Sequence, residues 1–370
     1  MTSKKRFIGL DYLKIIAILM VIALHVPVFS INFIQTGKPF NLIQYALRLL
    51  TEGVPLFLIV NGFLLFRKNI IDYKALAKKT CYYFFLYLLF GSLTILIMNT
   101  DQSLSFNNFM ISLLIISSGQ PYVGSLWFIQ SLVATYLMFP VFHYIYKSNY
   151  SMFKMIFGAV VFLTAGKQAI QVVAEILVRS AADCYGYLTY IVSAFDRFDP
   201  FNISSFLLFF LLGAVVNQHI DVLSANLKKL WTASILSWLI SIIYSFTLSN
   251  ITLELLQPAF FYGSFIMILQ TVTVFITFLK IEEKGTLIEK AVSFISSSTL
   301  WIYFVHNILI YLFRLHSEYS SFAERVVLLL QIFAVSLIIA AVIQFIEKVI
   351  INFLQSQKQS DKQKKKFHKN

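Results

Sequence analysis

Residues 10–25 read LDYLKIIAILMVIALH. An apolar run carries an acid and a lysine at its entry, Asp11 and Lys14, and a single histidine at its far end, His25. A hydrocarbon core of about 30 Å takes roughly 20 apolar residues at 1.5 Å per residue, so this run has the length of a membrane span. It lacks a small-residue cleavage site, which makes it a retained helix and not a signal peptide.

The rest of the chain has the same character. Apolar residues make up 58% and charged residues 13%, with a mean hydropathy of +0.77. A soluble domain carries about twice that charge. In lipid every backbone polar group has to be satisfied internally, so an open sheet is excluded and apolar runs of this length are helices. The expected fold is therefore all-α: a polytopic membrane protein with about ten transmembrane helices in one bundle. Hydropathy predicts spans over 10–31, 43–66, 81–98, 124–143, 153–177, 203–217, 229–249, 258–279, 295–314 and 326–352. Lys167, Gln168, Gln171 and Glu175 interrupt the fifth. Residues 106–117 are apolar but too short to span and read as a re-entrant or interfacial piece. No repeat or linker divides the chain, so residues 1–352 form one transmembrane domain. The basic tail, 353–370, has a composition that predicts disorder.

Lys and Arg concentrate in alternate loops. With Lys4, Lys5 and Arg6 inside, ten spans also place inside the loops 67–79 and 280–285 and the basic tail, whereas 99–123 and 250–257 contain no Lys or Arg. Both termini are thus expected in the cytoplasm, with the protein in the cell membrane. The net charge of +13 reads as a topology signal and a contact with anionic lipid. Its scatter over many loops does not describe a nucleic-acid surface. Cys81 and Cys184 fall on opposite sides in this topology, and no spacing suits zinc, so no metal site is expected.

The polar residues inside the spans carry the functional information, because a buried ionisable group in a bilayer is costly. At about 100° and 1.5 Å per residue, Lys14 and His25 lie within about 20° of one face and about 16 Å apart, with Asp11 within about 40° of His25. Interfacial anchoring of Asp11 and Lys14, with His25 bonded to a neighbouring helix, is the plain alternative. His306 in the ninth span and Glu52 in the second fall at a level comparable to His25, a little outside the midplane. The second span also holds Arg48, Pro55 and the pair Asn61–Gly62. Gln171 and Glu175, one turn apart with Lys167 a turn below, form a polar face directed into the bundle; a structural ion pair of Lys167 explains it as well as a site does.

Four stretches together resemble the acyltransferase 3 family of bacterial membrane proteins, which O-acylate cell-surface and secreted carbohydrates. LDYLKIIAILMVIALH resembles that family's first-helix pattern, and VPLFLIVNGFLLF, SLWFIQSLVATYLMFPVF and STLWIYFVHNILI resemble three further segments, in order and at similar separations. Two positions depart from the pattern: Lys14 stands where the family has arginine, and Asn61 where it has serine. Lysine keeps the positive charge but not the planar two-pronged donor.

The resemblance implies an O-acyltransferase that moves an acetyl or other short acyl group from acyl-CoA to a sugar hydroxyl of a cell-surface or exported glycan. Acyl-CoA is then a substrate, and no further cofactor is expected. The partners are acyl-CoA, a carbohydrate acceptor and the lipid bilayer. A hydroxyl needs a base near neutral pH, which suits histidine, so the candidate catalytic residues are His25, Glu52 and His306. Candidate substrate-binding residues are Asp11, Lys14, Asn61 and Trp127. Lys14 would meet a CoA phosphate or the pantetheine amides at the cytoplasmic mouth, and a phosphopantetheine arm would reach from there to His25. Trp127 and the outer loop 179–202 (Arg179, Asp183, Tyr185, Tyr187, Asp196, Arg197 and Asp199) form either an acceptor platform or an interfacial aromatic belt. The basic loop 67–79 either collects CoA or merely sets topology. The alternative class is a transporter or flippase of a glycan-related substrate, with His25, Lys167 and Glu175 as relays; the internal repeats and paired broken helices common in transporters are not found.

Overall fold

The computed structural model describes residues 6–26, 53–98, 105–114, 126–177, 190, 194, 203–252, 264–314 and 322–367. Among them there is no strand. The helices are α1 (Ile8–His25), α2 (Gly53–Phe66), α3 (Tyr73–Met98), α4 (Phe106–Leu114), α5 (Trp127–Ser148), α6 (150–177), α7 (Ile203–Gln218), α8 (Ile220–Ala225), α9 (Leu227–Thr252), α10 (Phe265–Leu279), α11 (Leu287–Arg314) and α12 (Phe322–Phe367). A helix occupies each of the ten hydropathy segments. Six of them, α1, α3, α5, α6, α11 and α12, contain stretches long and apolar enough to cross a bilayer, and α2, α7 and α10 hold shorter apolar helices. The chain is a multi-pass membrane protein.

Boundaries differ from hydropathy where polar residues continue a helix without lipid around it. α3 begins at Tyr73 and α11 at Leu287, eight residues before the apolar run in each case, because YKALAKKT and LIEKAVSF lack Gly and Pro and are good helix formers. For the same reason α12 continues through Phe367, into the tail whose composition predicted disorder. The 106–117 segment contains α4, nine residues or about 14 Å long, which is too short to span. It leans on α3 through Leu113 against Ile95 and through the Tyr87 hydroxyl bonded to the Leu113 carbonyl. The fifth segment carries a π-helical turn, Phe162–Gly166, immediately before Lys167.

The centre of the bundle is built from short helices. α2 and α7 are apolar on nearly every side and buried on nearly every side, as expected of a helix surrounded by others. They meet where each has a glycine. A Cβ on Gly62 would stand 1.9 Å from the Phe210 carbonyl oxygen, and one on Gly213 would stand 2.4 Å from the Phe63 nitrogen. α1 crosses α2 at Gly53, whose added Cβ would lie 2.4 Å from the Ala17 carbonyl oxygen. Close backbone approach through small residues is a principal means of packing helices in lipid, where no hydrophobic force drives them together. The glycine of the Asn61–Gly62 pair is therefore a packing residue, and it fixes the height at which Asn61 faces α5. The outer helices α9 and α12 turn exposed Ile235, Leu239, Ile243, Leu330, Ile338 and Phe345 outward, the side chains of a lipid-facing surface.

Candidate active site

Two groups of polar side chains lie along α1, one at each end. At the N-terminal end Asp11 is buried, at 5% exposure, and its carboxylate is held from two helices. Arg6 Nε donates to Oδ2 at 2.6 Å. Ser296 of α11 donates to Oδ1 at 2.6 Å and Ser293, one turn earlier, to Oδ2 at 3.4 Å. Lys14 Nζ stands 3.7 Å from Oδ1, one turn up the same helix. Asp11 thus ties α1 to α11 and neutralises part of a cationic surface.

That surface encloses a cavity of about 690 Å³ bordered by Arg6, Asp11, Lys14, Asn61, Arg67, Lys68 and Lys79, with Phe7, Leu10, Leu64 and Leu65 between them. Among the described residues five cations face one carboxylate there. Several are set in place: the Arg67 guanidinium lies 5.0 Å from the Phe7 ring centroid and 5.2 Å from that of Phe63. Lys79 donates to the Tyr136 hydroxyl at 3.0 Å, and that hydroxyl donates to Asn61 Oδ1 at 2.7 Å. The Asn61 amide nitrogen closes the chain on the Phe57 carbonyl at 2.8 Å. A concave surface with several cations and hydrogen-bonding groups recognises a polyanion.

At the C-terminal end of α1, His25 meets His306 of α11. Their ring centroids are 5.3 Å apart at an interplanar angle of 67°. His25 Nδ1 is 2.7 Å from the Val21 carbonyl oxygen, and His306 Nδ1 is 2.5 Å from that of Tyr303. An imidazole nitrogen this close to a carbonyl oxygen carries the proton, so in the neutral rings both lone pairs are on Nε2. His306 has no exposed surface, and its Nε2 has no hydrogen-bond partner among the described residues. His25 is partly exposed. Of the two, His25 is the one a substrate can touch.

The other candidates separate. Trp127 opens α5 with its ring 4.7 Å from that of Phe206. It also meets Phe128 at 6.3 Å, which meets Tyr303 at 5.4 Å, itself 5.6 Å from His306. An aromatic ladder therefore joins Trp127 to the histidine pair. Glu52, Arg48, Cys184, the side chain of Glu175 and the loop 179–202, except residues 190 and 194, lie outside the described residues. Lys167, Gln168 and Gln171 are half-buried on α6 and do not border the cationic cavity. The sequence reading missed Ser293, Ser296 and Tyr136. A signal for the serines existed: a buried carboxylate in one span needs donors from another, and SFISSST (293–299), at the entry of the ninth span, is the serine-rich candidate. Tyr136 had no such signal, being one of 19 tyrosines. A third interior histidine, His143, donates from Nε2 to the Lys68 carbonyl at 2.7 Å and ties α5 to the end of α2.

With this arrangement of α1 and α11 in view, the family comparison is decisive: the profile described as an acyltransferase domain, that of the acyltransferase 3 family, matches residues 7–345. The chain belongs to the acyltransferase 3 family. No curated protein and no solved structure matches it. The match begins one residue after Arg6 and spans both ends of the polar track along α1, so this membrane acyltransferase has the histidine pair and, apart from Arg6, the residues of the cationic cavity inside its family domain.

Proposed function

We propose that the protein transfers a short acyl group from acyl-CoA to a sugar hydroxyl of a surface or exported glycan, with the cationic cavity taking the donor from the cytoplasm and His25 as general base. The observation that carries this reading is the placement of Lys14 and His25 on one helix: Lys14 in a wall of five cations, His25 eleven residues on, about 16 Å along the helix, beside a buried second imidazole. The CoA phosphates suit Arg6, Lys14, Arg67, Lys68 and Lys79, and the apolar wall of Leu10, Leu64 and Leu65 suits the pantetheine arm directed inward. At the far end His25 Nε2 takes the proton of the acceptor hydroxyl as its oxygen attacks the thioester carbonyl. The tetrahedral oxyanion then collapses with C–S cleavage, and the imidazolium returns the proton to the departing thiolate. His306 keeps the His25 ring oriented by edge contact, and Trp127 offers a stacking face to a sugar.

The test is His25→Gln in cells that make the glycan, with exported polymer and its ester content measured separately. General-base assistance amounts to about 10²–10⁴-fold, so ester content should fall nearly to zero while export stays normal. Normal ester content with full-length protein in the membrane overturns the assignment of His25. Lost export with unchanged ester content per chain makes the protein a transporter.

A further inference from the structure

A second cavity lies away from both polar groups of α1. It is a cleft of about 310 Å³ bordered by Trp231, Ser234, Ile235 and Trp238 of α9, Gln270, Thr273 and Val274 of α10, Met20 of α1 and Leu56 of α2. The α9 residues fall at i, i+3, i+4 and i+7, and those of α10 at i, i+3 and i+4, so each helix presents one face to it. Its walls are almost wholly apolar, and among the described residues no charged side chain borders it. Its size is at the lower end of the range for small-molecule sites and holds about ten waters' volume.

Two features say what it takes. Ile235 is 48% exposed at its rim, and next to it Leu236, Leu239 and Ile240 are also exposed; the rim therefore opens onto the lipid-facing side of α9, and an occupant enters from the bilayer. On two of the residues that border it, a polar atom is buried with no hydrogen-bond partner among the described residues: Trp238 Nε1 and Gln270 Oε1. Gln270 itself is only 5% exposed. The other polar groups nearby are paired: Ser234 with Thr273 at 2.8 Å, and Trp231 Nε1 with Thr277 at 2.9 Å. Counted from Lys229 and Lys280, Trp238 and Gln270 stand nine and ten residues along their helices, about 14–15 Å in, or half of a 30 Å hydrocarbon core. At that depth bulk water is distant.

The indole N–H only donates and the amide oxygen only accepts. A hydroxyl does both in return, whereas an ester or ketone answers only the indole. With no cation among the described wall residues, a phosphate or carboxylate has no counterpart. We infer that the α9–α10 cleft is a lateral binding site for a membrane lipid made of one hydrocarbon chain with an uncharged hydroxyl, a long-chain alcohol, whose hydroxyl bridges Trp238 and Gln270. The site backs onto Met20 of α1, between the levels of Lys14 and His25, so an occupant packs against the helix that carries the proposed base.

The full chain in lipid nanodiscs is exposed to a long-chain primary alcohol with a mid-chain diazirine, irradiated, and mapped by peptide mass spectrometry. Labelling of peptides containing 231–238 and 270–274 should saturate and be displaced by unlabelled alcohol. Gln270→Leu and Trp238→Phe should each weaken apparent affinity about threefold to tenfold, the weight of one hydrogen bond. Ile235→Trp, at an exposed rim position, should block labelling while leaving the fold intact. Labelling that rises linearly with probe, is not displaced, or is equal in all three variants means annular lipid only and overturns the proposal. Saturable labelling by a diazirine phospholipid that the alcohol does not displace assigns the cleft to an acyl tail and also overturns it. The readout is binding, so it succeeds or fails independently of acyl transfer by His25.

Discussion

Asp11→Ala tests whether the carboxylate at the mouth holds α1 against α11. Two of its bonds are short: Arg6 Nε and Ser296 Oγ each donate at 2.6 Å. A hydrogen bond to an ionised group contributes roughly 1.5–3 kcal/mol. The Arg6 side chain is 51% exposed and regains water when the carboxylate is removed, so its bond belongs at the low end. Ser296 is buried and loses its acceptor outright. Together the loss comes to about 3–4 kcal/mol, in the range for breaking a buried charge pair. Ser296→Ala should cost about 2 kcal/mol, and Ser293→Ala, at 3.4 Å and half-buried, less than about 1 kcal/mol. Chemical unfolding in mild detergent measures all three. A slip of α1 along α11 also moves His25 relative to His306, and a misplacement of about 1 Å can cost about 10²-fold in rate. Turnover per folded protein at saturating donor should therefore follow the same order. Wild-type stability in Asp11→Ala, or a larger loss in Ser293→Ala than in Ser296→Ala, refutes the tie.

Lys14→Ala should raise the apparent Michaelis constant for acyl-CoA with little change in turnover at saturation, and Lys14→Arg should preserve or lower that constant; donor saturation curves decide. Gly62→Ala should lose most folded protein, because its Cβ has 1.9 Å to the Phe210 carbonyl oxygen and overpacking even by one methyl costs about 1–3 kcal/mol; yield of monodisperse protein after extraction measures it. Tags at either terminus should be protected from reagents in intact cells, and labelling of either from outside contradicts a cytoplasmic N- and C-terminus.

Each of these rests on something differently visible in the sequence. The helices were legible because lipid leaves the backbone few alternatives, and each hydropathy segment holds one. Their ends were not, since YKALAKKT and LIEKAVSF continue a helix past the apolar run and hydropathy records the lipid boundary and not the hydrogen bonds. The shared face of Lys14 and His25 followed from helical phase alone, and the structure keeps α1 helical from Ile8 to His25. The nearness of His306 to His25 was only a matter of level in the sequence; its distance depends on α1 packing on α11, which the Asp11–Ser296 bond helps set. The Lys79–Tyr136–Asn61 chain joins three helices and has no local trace. The cleft at Gln270 was equally silent, because a glutamine in an apolar run looks the same whether a protein group or a ligand satisfies it.

For the proposed acyl transfer, the layout along α1 answers a difficulty inherent in doing this chemistry inside a bilayer. A donor with several phosphates cannot be drawn deep into hydrocarbon, yet a thioester is best kept from water while a hydroxyl attacks it. Here the cations stay at one end of α1, around a cavity where Arg6 and Lys14 retain exposed surface, and the two imidazoles stand at the other end, where His306 is wholly enclosed. The charged part of a donor can remain near the interface while an uncharged arm spans the interval, which the apolar face of Leu10, Leu64 and Leu65 begins to line. In the proposed reaction Lys14 shapes the grip at the charged end without touching the histidine end. Donor affinity and turnover should therefore separate by position along one helix: changes near residue 14 read out in donor saturation, and changes near residue 25 in rate.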